Sequence, residues 1–222
     1  MDARGTPVSN RPLAVRSLGT VRYADALELQ DELVKKRRTG EIGDTLLLLE
    51  HPHVITLGSG ARRDNVLLGP EQRLQRGIEL HDAGRGGDVT YHGPGQLVGY
   101  PILDLKPDRC DLHLYLRDLE QVLIDTLGDF GIVAGRIEGL TGAWVENRKL
   151  AAIGVRVSSG WITSHGFALN VNTQLEYFDS IVPCGITDHE VGSIAEELRR
   201  PIEMSEVEER ITEHFRRRFE RT

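Results

Sequence analysis

The stretch Arg85-Gly86-Gly87-Asp88-Val89-Thr90-Tyr91-His92-Gly93-Pro94-Gly95-Gln96 constrains the fold most, because four glycines and a proline within eleven residues exclude a regular helix. It runs straight into the apolar segment 97–103, which has the length and composition of a strand. A loop without Cβ atoms lets backbone N–H groups approach a ligand closely, while Arg85, Asp88, Tyr91 and His92 supply polar handles. A plain connection between strands would explain the glycines but not the cluster of polar groups. No Gly-Lys-Ser/Thr follows and the dinucleotide spacing is missing, so neither nucleotide loop is present.

Around this loop the signals alternate irregularly between helix and strand. Residues 23–38 place Ala26, Leu27, Leu29, Leu33 and Val34 on one side, with Gly40 as a stop. A second helix follows Asp111, a predicted N-cap, and ends near Gly131. Short apolar or alternating runs at 45–50, 54–57, 97–103, 143–146, 150–157 and 161–171 read as strands. Asn147-Arg148 and Ser158-Ser159-Gly160 read as hairpin turns, so 143–171 is expected to be an antiparallel meander with Lys149 at a strand entrance. Val207, Ile211, Phe215 and Phe219 recur every four residues and predict a C-terminal surface helix over about 203–220. We therefore expect a single domain over 1–222 with its core at about 11–200, in the α/β (α+β) class.

With a formal net charge of −7 the chain is a poor candidate for binding nucleic acid, which requires an excess of Lys and Arg on one face. The start lacks the apolar stretch of a signal peptide and no apolar run nears the ~20 residues of a membrane span, so a cytoplasmic location is expected. In a reducing compartment the two cysteines, Cys110 and Cys184, are expected as free thiols. Pro183 and Gly185 put Cys184 in a turn, whereas Cys110 fits a structural role. Only four of the 27 basic residues are lysine, and of these Lys149 alone leads into small and apolar residues, Leu150 to Val155. Partial desolvation there is the setting in which a lysine serves as acid or base. His51, His53 and His92 could be imagined as metal ligands, but His-x-His more often bonds nearby backbone, and no metal is expected.

The segments RGGDVTYHGPGQ, RKLAAIGVR, HGFALNVN and PCGI, in this order, resemble the octanoyltransferase family that initiates protein lipoylation, within a frame of about 45–195. The resemblance implies the fold of the lipoate and biotin protein ligase catalytic domains, a mixed, largely antiparallel sheet flanked by helices. It implies transfer of an octanoyl group from acyl carrier protein to a lysine of lipoyl domains in 2-oxoacid dehydrogenase complexes and glycine cleavage H protein, with no cofactor. Cys184 is implied as the acyl-thioester nucleophile and Lys149 as the residue that activates it. The substrate site is implied to comprise Arg85, Gly86, Gly87, Asp88, Val89, Thr90, Tyr91 and His92, with Ala152, Ile153 and Gly154, and with His165, Gly166 and Phe167.

Elementary chemistry agrees with that assignment. A free thiol with a pKa of ~8.5 is only slightly ionised at neutral pH, and a nearby ammonium raises the thiolate fraction. Thioester exchange is nearly balanced and aminolysis of a thioester is downhill, so ATP is not required. Two other readings share the loops: an ATP-dependent lipoate or biotin ligase, in which Cys184 would be idle, and a catalytically inert module that binds acyl or carrier protein. Docking of an acidic carrier onto a net-negative chain is expected to use a basic rim of Arg62, Arg63, Arg73, Arg76, Arg136, Arg148 and Arg156.

Overall fold

The structure, a computed structural model, describes residues 11–182 and 190–219. Its elements run β1 (Leu13–Thr20), α1 (Tyr23–Thr39), β2 (Asp44–Glu50), β3 (Val54–Leu57), α2 (Pro70–Gln75), β4 (Glu79–Asp82), β5 (Val89–His92), β6 (Gln96–Ile102) and α3 (Leu112–Asp129). They continue with β7 (Gly135–Ile137), β8 (Leu140–Val145), β9 (Arg148–Val157), β10 (Thr163–Asn170), β11 (Glu190–Val191), α4 (Ile194–Leu198) and α5 (Met204–Phe219).

Eight strands form one mixed sheet in the order β1-β2-β6-β10-β9-β8-β7, with β11 beside β9. Within it β1 lies parallel to β2 and β11 parallel to β9, while the other neighbours are antiparallel. A smaller sheet, β4-β3-β5, carries the glycine-rich loop into β5. Alternation along β2 divides the core in two. Leu46 and Leu48 join Leu119, Val122 and Leu123 of α3, whereas Leu47 and Leu49 join Ala26 and Leu33 of α1. Helices thus cover both faces, and the expected architecture is the one observed.

Tyr23, Ala26, Gln30 and Leu33 form the buried stripe of α1, which ends at Gly40 with a left-handed φ of 76°. The Asp111 carboxylate accepts the N–H groups of His113 and Leu114 and so caps α3 as expected. The turn before β9 is corrected. It consists of Glu146 and Asn147, with Glu146 at φ 52°, and Arg148 already belongs to the strand. The segment expected as a surface helix is set deeper than its charge suggests, since Val207, Ile211 and Phe215 are all 0% exposed. The four-residue spacing points one face of α5 into the α3 core, while Arg216 and Arg217 stay in water.

Candidate active site

Strand β9 positions the site. On one edge it pairs with β10 from Ala151 to Val157 and with β11 at Arg148 and Lys149. On the other edge β8 reaches only Ala151, so the strand beyond it is left for another partner. The glycine-rich loop takes that place, with the Gly86 N–H donating to Val155 O at 2.9 Å. Gly154 makes the close approach possible, because a Cβ there would stand 3.0 Å from Arg85 Cδ and 3.1 Å from Gly86 O. Between loop, strand edge and the tip of the β7–β8 hairpin lies a cavity of about 380 Å³, within the size range of small-molecule sites.

Lys149 reaches this cavity through a β-bulge. One step on β8, Ala143 to Trp144, faces two steps on β9, Ala151 to Lys149, so Leu150 is the extra residue. Uninterrupted alternation would put Lys149 on the same face as Ala151, which packs in the α3 core. The bulge turns it to the opposite face, where it shares Trp144's side and lines the cavity with Ala152 and Gly154. Its ammonium lies 4.7 Å from the Trp144 ring centroid, a cation–π contact.

One side of the cavity is polar and aromatic, built from Tyr23, Arg85, His92, Tyr100 and His165. Arg85 is 8% exposed and donates to Thr56 O, Thr56 Oγ1 and Gly86 O. His51 is held between Val21 O at Nδ1 and the Tyr100 hydroxyl at Nε2, while His53 bonds the Tyr91 hydroxyl. Burial pushes His51 down to about 4, His92 to about 3, with His51 and Arg85 adding to the effect, and His165 to about 4, where Arg85 and Arg156 contribute. These rings are therefore neutral at pH 7. His165 also sits at φ 54°, a left-handed backbone that costs a bulky residue about 1 kcal/mol or more.

The other side is apolar, with Leu112 and Leu116 of α3 facing Leu140, Ile153 and Phe167. The hairpin tip 139–141 is anchored by Glu120, whose side chain is 1% exposed. Its carboxylate accepts from Arg136 Nε at 2.7 Å, Arg117 Nη1 at 2.6 Å and the Gly142 N–H at 3.2 Å.

Of the residues anticipated from sequence, Arg85 to Thr90, His92, Lys149, Ala152 to Gly154 and His165 to Phe167 line the cavity together. Tyr91 does not, because strand alternation turns it inward, where it is 0% exposed. Cys184 lies outside the described residues, as does the Pro183–Gly185 turn assigned to it. The chain on either side is tied to the site. Val182 N–H donates to Asn65 O, and the Asn65 amide donates to Asp88 of the glycine-rich loop at 2.8 Å. On the far side Val191 pairs with Lys149, and the Gly192 N–H donates to Lys149 O.

Cys110 is exposed, not the structural cysteine expected. Of the arginines expected in a basic rim, Arg62, Arg63, Arg136 and Arg148 each face a carboxylate, of Asp64, Asp82, Glu120 and Glu197 respectively. Tyr23, Tyr100, Leu112, Leu116 and the tip 139–141 were missed. Their sequence signals are those of ordinary core and turn residues, and only the packing brings them to the cavity.

Comparison with known proteins agrees with the geometry. Residues 22–216 match the lipoyl protein ligase A/B catalytic domain. An octanoyltransferase of Solibacter usitatus is 55% identical over 95% of this chain and 94% of its own, and one of Rubrobacter xylanophilus is 55% identical over 92% of each. Among solved structures, the bi-partite lipoate protein ligase of Thermoplasma acidophilum superposes with a TM-score of 0.71 at 16% identity, covering 96% of this chain and 85% of that one. Biotin protein ligase of Aquifex aeolicus gives 0.59 at 14% identity, covering 93% and 70%. The ligases share the fold, and the transferases share the sequence nearly end to end: the chain belongs to the lipoyl protein ligase A/B catalytic-domain family and stands among its octanoyltransferases.

Proposed function

We infer that this chain is a cytoplasmic acyltransferase that takes an octanoyl group from octanoyl-acyl carrier protein, holds it as a thioester on Cys184, and delivers it to the lysine of a lipoyl domain. The observation that carries this reading is Lys149, turned by a bulge into a cavity with an apolar wall and tied through Gly192 to the chain that leads back from Cys184. The reading is supported by the 55% identity to octanoyltransferases.

In the first half the Cys184 thiolate, paired with the Lys149 ammonium, attacks the carrier thioester. A new C–S bond forms, the carrier's C–S bond breaks, and the departing sulfur takes the Lys149 proton. Lys149 is then neutral. In the second half a neutral acceptor amine, having lost its ammonium proton to solvent, attacks the Cys184 thioester. The C–N bond forms, the C–S bond breaks, one amine proton passes to Lys149, and the thiolate–ammonium pair is restored. Burying the seven methylene and methyl groups of the chain against the Leu112–Leu116–Leu140 side contributes roughly 5 to 6 kcal/mol of binding.

The test is intact-mass analysis of the protein mixed with octanoyl-acyl carrier protein, without ATP and without acceptor. An octanoyl adduct removable by hydroxylamine is expected, absent in Cys184→Ala and present in Cys110→Ala. Transfer to a lipoyl domain that proceeds with no adduct, or only with ATP, rejects the covalent route.

A further inference from the structure

Four hydrogen bonds link the cavity to the backbone of Lys149, and their direction follows from chemistry alone. Gly192 O only accepts, so the amide group 2.9 Å away must be Asn170 Nδ2–H. Asn170 Oδ1 then faces Gln96, which must present its own Nε2, and that nitrogen also reaches Tyr91 O, a second acceptor. Gln96 Oε1 is left facing His92 Nδ1 at 2.7 Å, so Nδ1 must carry the ring hydrogen. At the far end the Gly192 N–H closes on Lys149 O. His92, Gln96 and Asn170 are 7%, 2% and 4% exposed, and a buried relay of this kind specifies one arrangement because any reversal leaves polar groups unpaired.

With Nδ1 committed, His92 Nε2 is a lone pair. Among the described residues it takes no hydrogen bond, and the ring that bears it lines the cavity beside Arg85. An imidazole that can only accept selects a ligand that donates. The adjoining guanidinium disfavours a second cation, so the matching ligand is an uncharged N–H or O–H donor. In the reaction inferred above, the acceptor lysine's amine is in that form when it attacks.

We propose that Gln96 and Asn170 are positioning residues that hold His92 as an acceptor at Nε2, and that this lone pair receives an N–H of the attacking amine. The amine thereby gains an orientation towards the thioester while Lys149 takes a different proton. The assignment of the amine rests on the transfer reaction inferred above; the relay itself does not.

The test combines a spectroscopic and a kinetic arm. Long-range 1H–15N correlation spectra of the ¹⁵N-histidine-labelled full chain, with His92 assigned by its loss in His92→Gln, are expected to show Nδ1 protonated and Nε2 bare. Gln96→Glu keeps the shape but places a carboxylate at Nδ1, so both ring nitrogens should become protonated; Gln96→Met should release the ring into mixed tautomers. In single-turnover assays of folded enzyme, Gln96→Glu is expected to lose more in transfer than in acylation. It is expected to transfer to the lipoyl domain at least roughly tenfold more slowly, the loss of one charge-sensitive hydrogen bond. A wild-type ring protonated at Nε2 overturns the relay whether or not any transfer is observed. Slowing confined to acylation overturns the amine as the ligand, and wild-type rates in both steps overturn the role of His92. Failure of wild type to form any adduct instead counts against the reaction itself.

Discussion

Lys149 shows how one residue's place on a strand decides its chemistry. Its neighbours Leu150 and Ala151 pack in the core, yet the extra residue in β9 points the ammonium the other way, over Trp144 and into the cavity. Its two inferred roles separate in Lys149→Arg, because a guanidinium keeps the charge that supports the Cys184 thiolate but releases no proton at a working pH. Octanoyl-enzyme is expected to accumulate, because the carrier's sulfur can leave as a thiolate and take its proton from water instead, and single-turnover transfer from pre-acylated variant to a lipoyl domain should fall ~10²- to 10⁴-fold, the contribution of a placed base. A variant that transfers at the wild-type rate removes Lys149 as that base.

Among the elements, the β7–β8 hairpin depends on a helix for its position. Glu120 of α3 gathers Arg117, Arg136 and the Gly142 N–H, and so fixes the tip 139–141 as one wall of the cavity. Glu120→Ala leaves the buried Gly142 N–H without its acceptor, and should cost about 1 to 3 kcal/mol in urea unfolding with m unchanged. The same variant should lose chain-length discrimination. Two further methylenes are worth up to about 1.6 kcal/mol, so the octanoyl-over-decanoyl preference, measured by competition between the two acylated carriers, can move by at most about fifteenfold. A destabilised variant with an unchanged ratio would show that this wall does not measure the chain.

Across the whole molecule, the joining of two sheets around the glycine-rich loop buries His51, His92 and His165 as neutral rings. Their folded pKa values lie below the unfolded 6.5, so the unfolded chain binds more protons between those limits. Stability from this source is complete above about pH 6.5 and is lost as pH falls through the folded values. For His51 alone the loss by pH 4 is roughly 3 kcal/mol. The melting temperature should therefore drop steeply between pH 6.5 and 4, and less steeply in His51→Phe. Equal slopes for the two proteins would remove His51 as a contributor.

Local chemistry made much of this legible beforehand. Asp111 and Gly40 announce helix ends, alternation announces most strands of the large sheet, and glycines beside Arg85 and His92 announce a binding loop, because each is a preference of the backbone within a few residues. Edge strands such as β1 and β4, and short β11, lacked that signal, since their pairing rather than their pattern defines them. The inward face of Tyr91, the pairing of the basic rim with carboxylates and the bulge that aims Lys149 likewise required the fold. The same holds for the relay from His92 to Gly192, whose members lie 4, 74 and 22 residues apart at successive links. A hydrogen bond of that span has no sequence period, and its direction is set only when the sheet brings the carbonyls of Tyr91 and Gly192 to the two amides.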